Sequence, residues 1–198
     1  VTGREHIPPQ GPALIAANHL SYLDPPAVGS SLPRRTYYFA KQELFQIPLF
    51  GSLIRSCYAF PVNREGDDKE AFRSAIELLK AGELLTVFPE GARSADGSLQ
   101  AGGRGAALIA ARAGVPIIPC AVSGTDQVLP LHAKFLHRGF IQVSFAPPLQ
   151  TRTRDNAGRA TKLDLQAITD QVMAEIARLL QEQKAYPRFL REPDTPCD

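Results

Sequence analysis

A chain of 198 residues, 44% hydrophobic and 21% charged, is long enough for one domain with a full core and is not a disordered polymer. Its net charge of +2 makes no general case for nucleic acid, so any basic surface must be local. No break in composition divides it, and no apolar run approaches the roughly 20 residues that span a bilayer.

In chain order, residues 12–17 form a short continuous apolar run, as expected of a strand buried on both faces. The run stops at Asn18-His19. Asp24 followed by Pro25 reads as a helix start, with Asp24 as N-cap and proline at the first helical position. Residues 36–40 are rich in aromatics and read as a second strand. Residues 44–54 are apolar but broken by Pro48 and Gly51, and residues 58–62 read as a short strand closed by Asn63-Arg64. A helix is expected over 67–81, where Phe72, Ile76 and Leu79 share one stripe and Lys80 with Gly82 ends it.

Residues 84–88 read as another buried strand, 105–113 as a small-residue helix, and 115–122 and 140–145 as the remaining strands. A polar link over 147–159 leads to a long helix whose apolar face is Leu165, Ile168, Val172, Ile176 and Leu179. Strands alternating with helices predict a single α/β domain over 1–185, with a mixed, largely parallel sheet flanked by helices. Residues 186–198 read as a proline-rich C-terminal tail. Cys57, Cys120 and Cys197 lack metal-ligand spacing with the histidines and read as reduced thiols, consistent with a cytoplasmic setting. The chain begins at Val1 rather than Met, which leaves a leader or anchor before it open.

Two turns carry the chemistry. In Asn18-His19-Leu20-Ser21-Tyr22-Leu23-Asp24 a histidine and a carboxylate stand five residues apart. On a regular helix they would be separated by about 140° and could not share a face. If the chain turns between them, Asp24 can hold the His19 Nδ1–H and leave Nε2 to accept a hydroxyl proton. Helix capping explains Asp24 equally well, and the two roles are compatible. The second turn, Glu90-Gly91-Ala92-Arg93-Ser94, follows a predicted strand, where α/β sheets gather ligands. There Arg93 offers a planar fork to a phosphate, and Gly91 allows close backbone approach. Gly102-Gly103-Arg104-Gly105 opens a helix and reads either as an anion-binding N-terminus or as a polar turn. No serine-hydrolase elbow, nucleotide phosphate loop or zinc cluster is present in the sequence.

These residues together resemble the glycerophospholipid acyltransferase family, in its 1-acylglycerol-3-phosphate acyltransferase branch. The family's Asn-His-x4-Asp stands here as Asn18-His19 and Asp24, and its arginine-ended second motif as Phe60-Pro61-Val62-Asn63-Arg64. Its Phe-Pro-Glu-Gly-Thr-Arg-Ser corresponds to residues 88–94 with Ala92 for threonine, and its Val-Pro-x-x-Pro to residues 115–119. Tyr58 stands where the second motif usually has glycine, and Gly103 with Arg104 where a lysine is often found.

The resemblance implies transfer of a fatty acyl group from a thioester, acyl-coenzyme A or acyl carrier protein, to the sn-2 hydroxyl of 1-acylglycerol 3-phosphate. The product would be phosphatidic acid, in phospholipid biosynthesis. It makes His19 the general base and Asp24 its orienting partner. Arg64, Glu90, Gly91, Arg93 and Ser94 would hold the acceptor, with the two arginines on its phosphate. No metal or bound cofactor is implied. The alternatives are another lysolipid or polar-lipid acceptor, or a catalytically silent lipid- or carrier-binding domain.

Peripheral contact with the cytoplasmic face of a membrane is expected, or anchoring by an N-terminal segment outside this sequence. Residues 44–54, flanked by Arg34, Arg35, Lys41 and Arg55, read as lining an acyl groove or lying in the lipid interface, with ordinary core helices as the alternative.

Overall fold

The computed structural model describes residues 1–48, 50–62, 69–131, 133, 135–151 and 164–185. A 3-10 turn, Arg4–His6, precedes β1 (Ala13–Ala17), α1 (Asp24–Ser31) and β2 (Thr36–Lys41). A second 3-10 turn, Gln42–Gln46, leads to α2 (Phe50–Ser56), β3 (Ala59–Val62), α3 (Lys69–Lys80) and β4 (Leu84–Val87). Then follow α4 (Gly105–Ala113), β5 (Ile117–Ser123), α5 (Thr125–Val128), β6 (Gln142–Phe145) and α6 (Leu165–Ala185). The six strands form one sheet in the order β3-β2-β4-β1-β5-β6. All neighbours run parallel except β5 and β6, so the mixed, largely parallel sheet expected from the sequence is present.

β1 lies at the centre because all five of its residues are apolar and buried. Alternate side chains enter opposite layers. Leu14 and Ala16 join Leu79 of α3, Ile109 of α4 and Ile176 of α6 in one core. Ala13, Ile15 and Ala17 join Val28 of α1, Leu32 just after that helix and Val122 of β5 in the other. The apolar stripe predicted for the long helix packs inward through Val172, Ile176 and Leu179. Small residues let α4 lie close to the sheet, with Ala106, Ala107, Ala110 and Ala111 buried; Gly114 ends it at φ 74°.

Several boundaries differ from the sequence reading. β6 begins at Gln142, leaving Phe140 exposed ahead of the strand. α5 has no counterpart among the predicted elements, being only four residues long. Asp67, at the expected start of α3, lies outside the described residues, as does the tail 186–198. Tyr58 adopts φ 60°, a left-handed conformation that glycine takes without strain. That is the position where the motif usually has glycine.

The connections fix where a site can form. The chain leaves β1 through α1 toward β2, beyond β4, and leaves β4 through α4 toward β5, beyond β1. α1 and α4 pack on opposite faces. A crevice therefore opens past the carboxyl ends of the adjacent strands β1 and β4.

Candidate active site

Asn18, the first residue after β1, is buried, and its side chain continues the sheet. Its Nδ2 donates to the Val122 carbonyl at 2.9 Å, and its Oδ1 accepts the Val122 N–H at 2.7 Å. This clamp fixes the direction in which His19 leaves the strand.

The chain then turns back on itself, so that His19 Nδ1 lies 2.8 Å from Asp24 Oδ2. The same oxygen accepts the amide N–H of Leu20 at 2.6 Å and of Ser21 at 2.7 Å. Oδ1 accepts the Thr125 hydroxyl at 2.5 Å. Asp24 is thus fully buried with both oxygens satisfied. It is the first residue of α1, and Leu23 occupies the N-cap position without a side-chain cap bond. The expected N-cap role is therefore replaced, because the carboxylate turns back to the amides of the preceding loop.

With Nδ1–H committed to Asp24, Nε2 is left as the basic nitrogen. The His19 ring stacks on Phe88 at 4.2 Å between centroids and 21° between planes, and its side chain remains 16% exposed.

β4 supplies the opposite wall. Glu90 Oε1 accepts the His19 amide N–H at 2.7 Å, and Oε2 accepts the Gln100 N–H at 2.9 Å. Burial pushes the Glu90 carboxyl above its usual range, and the amides of Gln100 and His19 partly oppose that rise. Ser94 donates its N–H to the His19 carbonyl at 2.8 Å and its hydroxyl to Asp96 at 2.9 Å. The hydroxyl and amide of Ser98, with the Ser94 hydroxyl, hold the Asp96 carboxyl down at about 2. Gly91 takes φ 73°, which turns the chain so that Arg93 reaches the Tyr22 ring, Cζ 3.6 Å from its centroid.

A cavity of about 690 Å³ opens at His19, Tyr22 and Arg93 and runs between apolar walls to Leu44, Ile54 and Val62. That volume is within the range of small-molecule sites. Among the described residues, no group of three or more His, Cys, Asp or Glu is placed to hold a metal ion. One end of the cavity is a histidine, backed by the buried Asp24 carboxylate, beside an arginine; the other is hydrocarbon.

A family model described as Acyltransferase matches residues 1–123. The chain belongs to the acyltransferase family. Among relatives, the 1-acyl-sn-glycerol-3-phosphate acyltransferase of Bacillus subtilis is 33% identical over 181 residues, 90% of this chain and 86% of that protein. A chloroplastic 1-acyl-sn-glycerol-3-phosphate acyltransferase of Arabidopsis thaliana is 30% identical over 159 residues, 78% of this chain and 44% of that protein. The crystal structure of PlsC, the 1-acyl-sn-glycerophosphate acyltransferase of Thermotoga maritima, superposes with a TM-score of 0.77 at 28% identity. That match covers 93% of this chain and 71% of PlsC.

Of the acyltransferase residues singled out in the sequence, His19 and Asp24 meet directly, and Gly91 and Arg93 line the cavity. Glu90 and Ser94 face the His19 turn instead, because backbone amides occupy both Glu90 oxygens and the Ser94 hydroxyl is buried on Asp96. Arg64 lies outside the described residues. Of the glycines around the start of α4, Gly102 serves close packing: a Cβ there would come within 2.7 Å of Met173 Sδ. One amide of that run, from Gly103, is held by the Pro89 carbonyl at 2.8 Å.

Thr125, on Asp24, was not among the sequence candidates. Its position just past the carboxyl end of β5 is the signal that points to it.

Proposed function

We propose that this acyltransferase moves a fatty acyl group from a thioester to the sn-2 hydroxyl of 1-acylglycerol 3-phosphate, giving phosphatidic acid for phospholipid synthesis. The observation that carries the reading is the His19–Asp24 pair at the mouth of an apolar cavity, with Arg93 beside it. The names of the relatives support the choice of acceptor.

In this reading His19 Nε2 takes the proton of the acceptor hydroxyl as the oxygen attacks the thioester carbonyl. The new C–O bond forms, the C–S bond breaks, and the imidazolium returns its proton to the departing thiolate. Asp24 keeps the proton on Nδ1 and stabilises the imidazolium. Arg93 and Arg64 bind the acceptor phosphate, and Gly91 gives the acceptor room. Glu90 and Ser94 act on the acceptor indirectly, by holding the turn that carries His19 and Arg93.

The acyl chain occupies the cavity between Leu44, Ile54 and Val62. Leu44 and Ile54 belong to the 44–54 segment, so their position favours the acyl-lining alternative for it. Acyl-coenzyme A or acyl carrier protein serves as donor, with no metal or bound cofactor, and the domain works peripherally at the cytoplasmic face of a membrane.

Mass spectrometry of the lipid formed from 1-acylglycerol 3-phosphate and each donor tests this reading, with phosphatidic acid as the expected product. Acylation of a different lysolipid in preference would reassign the acceptor. Binding without product would leave a silent lipid- or carrier-binding domain.

A further inference from the structure

Among the described residues, three of the most exposed large apolar side chains lie within six residues. Phe135 is 80% exposed, Leu136 67% and Phe140 52%, with Arg138 exposed between them. Scattered exposed apolar residues are ordinary, but a cluster on one loop marks an interaction site. The base of this loop is fixed. The His137 N–H donates to the Val128 carbonyl at 2.8 Å, and the first pair of the β5–β6 ladder, Ser123 with Gln142, closes the two ends. Gly139 and Gly124 allow close packing there: a Cβ on Gly139 would come within 2.7 Å of Val128 Cγ2, and one on Gly124 within 2.0 Å of the Phe140 carbonyl oxygen. The apolar side chains are thus held out from an anchored support.

The loop also has a definite place relative to the catalytic mouth. It follows the carboxyl end of β5, at the same end of the sheet where β1 delivers His19. Its support, α5, carries the Thr125 that binds Asp24, and the next carbonyl, Leu129, accepts the Ser21 hydroxyl at 2.8 Å. Tyr22, 47% exposed at the cavity mouth, follows Ser21, and Leu131 lines the same cavity. The exposed apolar loop therefore rises from the same support as the rim of the apolar cavity.

We propose that residues 135–140 form a membrane-insertion loop that seats the cavity mouth on a bilayer of anionic phospholipid. Phe135, Leu136 and Phe140 enter the acyl boundary, and Arg138 pairs with headgroup phosphate. Tyr22 lies at headgroup depth, where an aromatic ring with a polar tip is favoured. A long-chain substrate then passes from the bilayer into the cavity without crossing open water. The choice of a bilayer over a protein partner rests on the proposed lipid acceptor, the support shared with the apolar cavity, and the arginine among the apolar groups.

The chain contains no tryptophan, so one introduced indole is a clean reporter. Phe135→Trp and, on the 44–54 segment, Ile47→Trp are mixed with vesicles of equal phosphatidylglycerol and phosphatidylcholine. The proposal expects the emission of Phe135→Trp to shift to the blue and to be quenched by lipid brominated in its acyl chains, with no such response from Ile47→Trp. The Phe135→Ser/Leu136→Ser double variant should lose about tenfold or more in vesicle partitioning. It should keep its thermal midpoint and its thiol release with a water-soluble short-chain acceptor.

Equal partitioning of the double variant and the wild type overturns the proposal, as does a response from Ile47→Trp alone. A wild-type dimer that becomes monomeric in the double variant, with vesicle binding unchanged, overturns it in favour of self-association. Loop-dependent vesicle binding with no thiol release on any lysolipid leaves the surface standing and removes the catalytic reading instead.

Discussion

A single oxygen of Asp24 gathers three donors: His19 Nδ1 at 2.8 Å, the Leu20 amide at 2.6 Å and the Ser21 amide at 2.7 Å. The contact that orients the imidazole is therefore also the contact that folds the turn carrying it. Orientation and local stability rest on one buried carboxylate.

Asp24→Asn separates these effects poorly, and that is itself a prediction. The amide keeps the volume but must point its NH2 at the two backbone donors or at the Thr125 hydroxyl. The cost is about 1.5–3 kcal/mol of stability for the lost charge-assisted bonds. Turnover should fall by about a hundredfold or more, because the His19 tautomer is no longer fixed. Thermal unfolding and thiol release on the same preparation check both parts; a variant with unchanged stability would show that the amides do not depend on this carboxylate.

Thr125 acts through Asp24 and does not line the cavity. Thr125→Val keeps the shape but leaves Oδ1 without its hydroxyl donor. It should lower kcat by about fivefold to tenfold, on the scale of one hydrogen bond, with little change in KM for the acceptor. Thr125→Ser should restore most of the loss. Equal losses in both variants would mean that packing at this position matters and the hydrogen bond does not.

What could be read in advance depended on range along the chain. The buried run of β1, the small-residue helix Gly105–Ala113 and the inward stripe of α6 rest on local patterns and appear where they were expected. The likeness to the family placed His19 and Asp24 together, while the residues alone left Asp24 open between capping and catalysis. Spacing could not reveal that the carboxylate folds backward onto Leu20 and Ser21 instead of forward onto α1. The remaining supports join residues far apart in sequence: Asn18 to Val122, Thr125 to Asp24, Glu90 to the His19 amide. Periodicity carries no information about such pairs. The acceptor role of Glu90 comes from the resemblance alone, and a carboxylate beside a glycine turn looks alike whether it faces a ligand or two backbone amides.

Burial raises the Glu90 carboxyl above the usual 4.5, so the folded state holds that proton more tightly than the unfolded chain does. Its contribution to stability is present below the unfolded value and is lost as pH rises through the folded one. In Glu90→Gln this titration is absent. The stability of the wild type relative to Glu90→Gln should therefore fall as pH is raised from about 4.5 through the folded value, read as the difference between their thermal midpoints at each pH. A difference that grows in the wild type's favour over that window would contradict the raised value.

Arg93 lies over the Tyr22 ring at the cavity mouth. Arg93→Ala should raise KM for a phosphorylated acceptor by about tenfold, the loss of one charge-assisted contact, with a smaller effect on kcat. Arg93→Lys should recover only part of this, since an ammonium keeps the charge but neither the planar fork nor the stacking. An equal effect on an unphosphorylated acceptor would remove the phosphate role.

The most direct test of the account is free-thiol release from acyl-coenzyme A by wild type and His19→Ala, with and without 1-acylglycerol 3-phosphate. The account predicts release that requires the acceptor and falls about a hundredfold or more in His19→Ala, while the thermal midpoint stays near that of the wild type. Near-normal release by His19→Ala would contradict the assignment of His19 as the general base, and release without acceptor would point to water as the acyl acceptor.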